Sequence, residues 1–440
     1  MKTATGNSAT RIGDTNEVAV YDASNGEDVL SGRLYSQRRR GVESASFSYD
    51  ERYLARPDAY ALDPGLALMT GIHHTPAGRK LFGAFADSAP DRWGRNLISR
   101  AERIRARQAG VAARSIGEID YLLGVRDDLR QGALRFRAED SGPFLATEDS
   151  GVPQLTDLPE LLSLAARAEN DTAGYEEIKR LVRLGSSLGG ARPKTHVLHM
   201  SGHIAIAKFP SPSADTWNVM AWEKTALDLA QLAGIKVPPS RLVRVGARHV
   251  LVVDRFDRRP AGLRIGYASA MTMLEAGDGD QRSYLEIAEV VEERSDATSV
   301  ELIELWRRMA FSVLISNTDD HLRNHGFLHG RADIWNLAPA FDLNPNPEPG
   351  TKYLSTAIDD VETEASVDLL VEVARYFRLD EARALMVLRQ VASAVADWRL
   401  VAAGHGLSAR ELDGMELAFE HVAAQQARRL TDLPDCARST

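Results

Sequence analysis

The chain has 440 residues, 44% of them apolar, with 53 Lys and Arg against 62 Asp and Glu, a formal net charge of -9 and a sequence pI near 5.7. That length exceeds one small core, so two or three subdomains are expected, and the acidic balance excludes a surface that grips nucleic acid by neutralising its phosphates. A single cysteine, Cys436, allows neither an intrachain disulfide nor a thiolate metal cluster, which fits a reducing cytosol.

Residues 1–14, MKTATGNSATRIGD, carry no apolar h-region and are expected to form a flexible leader. No later stretch approaches the roughly 18 unbroken apolar residues of a membrane span, so the expected setting is cytoplasmic, with no membrane partner. EVAVYDASNGEDVLSGRLY alternates apolar and polar residues about an Asn-Gly turn, the pattern of a hairpin. APDRWGRNLISRAERIRARQ has helical spacing, and EIDYLLGVRDDLRQGALRFRA reads as a short helix that passes through Gly132 into a strand. These elements make a β-rich N-terminal subdomain over 15–145. The polar, Gly- and Pro-bearing segment around 138–153 marks a linker. HIAIAKFP and RHVLVVDRFDRR read as buried strands in a second β-rich lobe, 150–260. Beyond about residue 265 the spacing is helical nearly to the end, as in Leu302, Leu305, Trp306, Met309 and Val313, or in EARALMVLRQVASAVADWRLVAA. An α-helical lobe over 261–440 is therefore expected, and the fold class is α+β.

The chemistry belongs where the two lobes meet. There an apolar helical run ends in ISNTDDHLRN, in which Asp319 and Asn324 have the D-x-x-x-x-N spacing of a kinase catalytic loop. In such a loop the Asp takes or orients the substrate's hydroxyl proton and the Asn holds magnesium, which prefers hard oxygen donors. In LAPAFDLNP, Asp342 follows an apolar phenylalanine eighteen residues after Asn324, where a kinase carries its second magnesium-binding Asp.

Upstream, GSSLGGARPK offers Gly185, Gly189 and Gly190 with Ser186, Ser187 and Lys194. Glycines let backbone N–H groups approach phosphates, yet Pro193 stands where a Walker A loop needs glycine, so a P-loop ATPase is disfavoured. Lys208 ends the strand HIAIAK, where an ammonium reaches the α- and β-phosphates, and Glu223 in NVMAWEKTALDLAQLAG is the carboxylate expected to hold it. The backbone near Asp254 to Phe256 would pass between the lobes and hydrogen-bond adenine.

SSLGGARPK, IAKFP, RFDRR, NTDDHLRNHGFL and LAPAFDLNP, in this order, resemble the signatures of the HipA-like serine/threonine kinases, the toxins of bacterial type II toxin–antitoxin systems. LFGAFADSAPDRWGRNLI and YLLGVRDDLRQGALRF are similar to that family's N-terminal subdomain, so the resemblance covers nearly the whole chain. It implies a two-lobed, protein-kinase-like fold and phosphorylation of a protein hydroxyl with ATP and magnesium. An aminoacyl-tRNA synthetase is the family's expected target, with growth arrest as the outcome. It also implies a HipB-like helix-turn-helix antitoxin on a separate chain, with DNA contacted only through that partner. Carried over by residue, the resemblance makes Asp319 the catalytic Asp, Asn324 and Asp342 the magnesium ligands, Lys208 the phosphate lysine and Lys194 the lysine closing the Gly-rich loop. Ser187, with Ser186 as the alternative, becomes the autophosphorylation site, where about -1.5 to -2 units of added charge would repel ATP phosphates and favour an open loop.

Several positions depart from the pattern. Arg192 stands where the family often has Gln, and it either strengthens phosphate binding or holds a phosphorylated Ser187. His321 stands two residues past the catalytic Asp, where ordinary protein kinases have Lys, and is expected to orient the loop. Arg323 is then the nearest fixed cation to offset charge on the transferring phosphoryl group. Two other readings exist. Asp319, Asp320, His321 and His325 could ligate a metal in a hydrolase, or the chain could be a catalytically weak co-repressor acting with its antitoxin.

Overall fold

The computed structural model describes residues 17–39, 42–147, 151–185, 190–199 and 202–432. The leader, Ser186, Ser187, Gly189 and Cys436 lie outside the described residues. Strands β1 (Glu17–Asp22) and β2 (Val29–Arg39) form the antiparallel hairpin, with Gly26 of the Asn-Gly pair at a φ of 83° that only glycine adopts freely. With β3 (Val42–Tyr49), β4 (His73–His74) and β5 (Leu134–Arg137) they make a five-stranded antiparallel sheet in the order β4-β3-β2-β1-β5. Strand alternation sends Val18, Val20, Leu34 and Phe47 into the core. The short helix Glu118–Gly124 feeds β5 through Gly132, whose φ is 74°.

A second antiparallel sheet holds β6 (Lys194–Leu198), β7 (Ile204–Lys208), β8 (Ser240–Val245) and β9 (Arg248–Asp254) in the order β6-β7-β9-β8. It is covered on both faces, which is why β9 reads as an unbroken apolar run. Val250 and Val252 pack with Leu158, Leu161 and Phe209, while Leu251 and Val253 face the core that contains helix Val219–Leu232.

The C-terminal lobe is built around helix Thr298–Leu314, whose Leu302, Leu305, Trp306, Met309, Phe311 and Val313 are fully buried. Each such side chain contributes roughly 1.5–3 kcal/mol by leaving water. Two expectations need correction here. The lobe also contains a three-stranded sheet, β10 (Tyr267–Ser269), β11 (Gly326–His329) and β12 (Trp335–Leu337), whose strands are too short to display a period of two. The long helical pattern near residue 390 is two helices, Glu381–Ala396 and Trp398–Gly404. Asp397 closes the first with an N–H bond to Ala394, and Trp398 turns inward to stack on Phe419 at 4.7 Å.

Candidate active site

Strand β7 turns Ala205 and Ala207 toward one covering layer, so alternation aims Lys208 the other way, toward helix Val219–Leu232. Glu223 of that helix is buried, and its Oε1 lies 2.5 Å from Lys208 Nζ. Asp342 Oδ1 completes the arrangement at 2.8 Å from the same nitrogen. Burial alone would push Lys208 down, but the charges of Asp342 and Glu223 outweigh it and hold the ammonium protonated. Asp342, which burial would raise, is drawn down to about 2 by Lys208 and stays ionised. Its backbone takes a φ of 59°, a left-handed geometry that Asp tolerates better than most residues.

Helix Thr298–Leu314 ends where ISNTDDHLRN begins, and the loop is fixed by buried polar groups. Asp320 accepts hydrogen bonds from Tyr284 Oη and from Ser312 Oγ at 2.9 Å, and lies 3.1 Å from His325 Nε2. With Asp320 anchored inward, its neighbour Asp319 is exposed at the lip. Partial burial raises the Asp319 carboxyl; His321 opposes that shift, Asp342 and Asp320 add to it, and the net direction is up. Asn324 donates its amide N–H to the Asp319 carbonyl at 3.0 Å, which spends the nitrogen and leaves the side-chain oxygen as a donor for a hard cation. Arg323 is exposed and its guanidinium is held by Asp278 at 2.5 Å, so it is engaged away from these carboxylates.

Three asparagines missed in the sequence tie the two acidic loops together. Asn317 Oδ1 accepts from the N–H of Asn344 at 3.2 Å, Asn344 donates its side-chain amide to the Asp342 carbonyl at 3.2 Å, and Asn346 reaches Thr318 Oγ1 at 2.9 Å. Their only signal was the unusual density of Asn beside both acids.

The Gly-rich segment is described at its two ends. A Cβ on Gly185 would stand 2.4 Å from the Lys194 carbonyl oxygen, so only glycine fits that close approach, and Gly190 has a φ of 96°. Lys194 is buried and ion-paired with Asp91 of the N-terminal subdomain at 2.6 Å. Arg192 pairs with Asp215.

The motif RFDRR reaches the N-terminal subdomain. The N–H groups of Asp254 and Arg255 are already taken by the carbonyls of Pro239 and Ile204, which leaves them unavailable to an adenine. The Phe256 ring packs 5.5 Å from Phe341, the residue preceding Asp342. Arg255 and Arg258 both bind buried Asp257 and donate to the carbonyls of Leu129, Arg130 and Gly132, which fastens the motif to the N-terminal subdomain. Buried His196 joins this network, with Nε2 3.2 Å from Arg255 Nη1 and Nδ1 2.9 Å from the Leu184 carbonyl. Burial and then the Arg255 charge lower its pKa to about 3, so the ring is neutral.

Among the described residues no three His, Cys, Asp or Glu side chains are placed to hold a metal ion. Asp320 lies in the loop scaffold with His325 beside it, and Tyr284 and Ser312 donate to its carboxylate. Nor is any described helix long and apolar enough to cross a membrane.

Residues 186–398 match the family model of the HipA-like C-terminal domain. A protein of Sinorhizobium fredii named as a kinase, Y4dM, is 30% identical over 30% of this chain and 35% of its own length. A Haemophilus influenzae protein also named as a kinase is 24% identical over 39% of this chain and 57% of its own length, so the chain spans between about a third and three fifths of these two relatives. The structure of the Shewanella oneidensis MR-1 toxin–antitoxin complex of HipA, HipB and operator DNA matches with a TM-score of 0.66, at 16% identity, over 95% of this chain and 100% of that one. At that identity the likeness is one of fold, and the fold is two-lobed and kinase-like.

Proposed function

We propose, for a chain whose residues 186–398 match the HipA-like C-terminal domain, that it is an ATP- and magnesium-dependent serine/threonine protein kinase and the toxin of a HipBA-type system. The observation that carries this reading is the triad of Lys208, Glu223 and Asp342, drawn from a strand, a helix and a loop of both lobes. Residues fit both cofactors. Lys208 offers a charged ammonium to the nucleotide phosphates, and the contacts that engage Asp342 fall on Oδ1, leaving Oδ2 with the Asn324 oxygen as hard donors. Magnesium, when bound, neutralises charge on the β- and γ-phosphates.

The remaining chemistry belongs to the chain. Asp319 accepts the proton of a substrate Ser or Thr hydroxyl as that oxygen bonds to the γ-phosphorus. The bond from the γ-phosphorus to the bridging oxygen breaks, and ADP leaves. A carboxyl raised above its ordinary range is a better acceptor for that proton than an ordinary Asp. His321, whose N–H bonds the Asp319 carbonyl at 3.0 Å, shapes the loop. The division into leader, N-terminal subdomain, ATP-binding lobe and helical lobe at 1–14, 15–145, 150–260 and 261–440 accompanies this reading, as does a cytoplasmic setting. So do a helix-turn-helix antitoxin partner, an aminoacyl-tRNA synthetase substrate and autophosphorylation at Ser187 or Ser186.

Phosphopeptide mapping after incubation with magnesium and ATP, run beside Asp319→Asn, tests the proposal. Phosphate on Ser187 in the wild type and none in the variant is the expected result. Absence of phosphate from the protein and from every lysate protein, with ATP still bound, would sink the kinase reading in favour of a binding module.

A further inference from the structure

Lys194 and Lys208 stand directly opposite each other in the β6–β7 register, so their side chains leave the same face of the sheet. Two ammonium groups so placed repel unless each has a counter-ion. Lys208 has Glu223 and Asp342, whereas Lys194 has Asp91, and the Lys194 and Asp91 side chains are only 5% and 4% exposed. Asp91 comes from the N-terminal subdomain and divides its two oxygens between two tasks. Oδ1 accepts from the N–H of Gly94 at 2.7 Å and caps helix Arg92–Ala109, while Oδ2 takes Lys194.

The same helix is held against the flank of the Gly-rich segment, since Trp93 and Leu97 pack with Ile178 and Leu181 of helix Tyr175–Leu184, which runs into Gly185. Lys194 Nζ faces the other end of that segment. A Cβ on Gly190 would stand 3.4 Å from it. Thus a carboxylate of the N-terminal subdomain sits on the lysine that faces Gly190.

We propose that Asp91 is a positioning residue that sets nucleotide affinity, acting as an internal anion that a nucleotide phosphate must displace from Lys194. This rests on the nucleotide site argued above. Displacement leaves Asp91 with its helix-capping bond alone, so nucleotide occupancy and the seating of the N-terminal subdomain are linked, and by reciprocity whatever loosens that subdomain tightens nucleotide.

Asp91→Asn tests this directly, because Asn keeps the shape and the cap and removes only the charge. Titration with a non-hydrolysable ATP analogue and magnesium should give a Kd about tenfold lower than wild type. The KM for ATP should fall with it, while kcat stays within about twofold, a split that a general loss of structure would not produce. In a Lys194→Gln background the same substitution should change Kd less than about twofold, since the contact it relieves is gone. An unchanged or raised Kd in folded Asp91→Asn, or equal tightening in the Lys194→Gln background, overturns the inference and leaves the nucleotide site standing. A wild-type protein that binds no nucleotide overturns both.

Discussion

Substituting Asp257 by Asn should detach the N-terminal subdomain from the second lobe more effectively than any comparable change in the apolar core. The carboxylate is 2% exposed. It receives Arg255 through Nε at 2.8 Å and Nη2 at 2.6 Å, Arg258 through Nη1 at 2.9 Å and the N–H of Gly132 at 2.8 Å. Asparagine keeps one acceptor and places an amide donor against groups that are all donors, so two buried guanidinium groups lose their counter-ion. Breaking a buried pair in this way costs about 3–5 kcal/mol. The pH dependence has a definite sign. Burial would raise Asp257, but Arg255 and then Arg258 hold it far below the usual carboxylate range. A group depressed in the folded state contributes its stability above its unfolded value, about 3.9, and loses it as pH falls through the folded value. Urea unfolding followed by tryptophan fluorescence should therefore show a lower midpoint for Asp257→Asn at neutral pH and a narrowing gap from wild type below about pH 4. Equal midpoints at neutral pH, or a gap that widens in acid, would refute the reasoning.

Glu223→Gln leaves Lys208 leaning on Asp342 alone, and the loss of one charge-assisted bond, about 1.5–3 kcal/mol, should reduce kcat/KM for ATP by roughly 10- to 100-fold in steady-state kinetics; an unchanged value would remove Glu223 from the site. The acid limb of kcat/KM should lie above the ordinary Asp value because Asp319 is raised, with activity lost as pH falls through that limb. His321→Gln removes the charge that opposes the rise and should move the limb further up. A downward move would contradict the assignment. Trp398→Ala removes the ring stacked on Phe419 and packed 6.1 Å from Trp222, the neighbour of Glu223. It should cost about 3–5 kcal/mol and lower ATP affinity together with the thermal midpoint. Loss of stability with ATP affinity intact would show that this stack does not seat Glu223.

What the sequence made legible follows the range of the interactions. Asp319 and Asn324 share one short loop, and Lys208 ends a strand whose alternation fixes the side it faces, so local spacing carried both. Lys194 and Asp91 are 103 positions apart, and Asp257 and Gly132 are 125 apart. No period or motif connects such pairs, and the charges of RFDRR read as the flank of a hinge although they grip a different subdomain. The short strands around Gly326 and Trp335 escaped for another reason, since three or four residues are too few to distinguish a period of 2 from one of 3.6.

The residues that hold the two acidic loops also find a physical account. Asn344 stands two residues past Asp342, where an ordinary protein kinase carries glycine, and the sequence has no Ala-Pro-Glu segment. Ser316 and Asp342 both take left-handed backbone geometry, which costs of order 1–3 kcal/mol each and persists only where surroundings enforce it. Those surroundings are side-chain amides. Asn317 joins Asn344, Asn346 joins Thr318, and the N–H of Asn346 returns to the Ser316 carbonyl at 3.2 Å. Thr356 Oγ1 adds a bond to the Asp320 carbonyl at 2.6 Å. An amide both donates and accepts, so it can cross-link two strained loops without adding charge beside Lys208, Asp319 and Asp342. Rigidity of the acidic loops is thereby built into their own sequence, through amides that lie within thirty positions of one another.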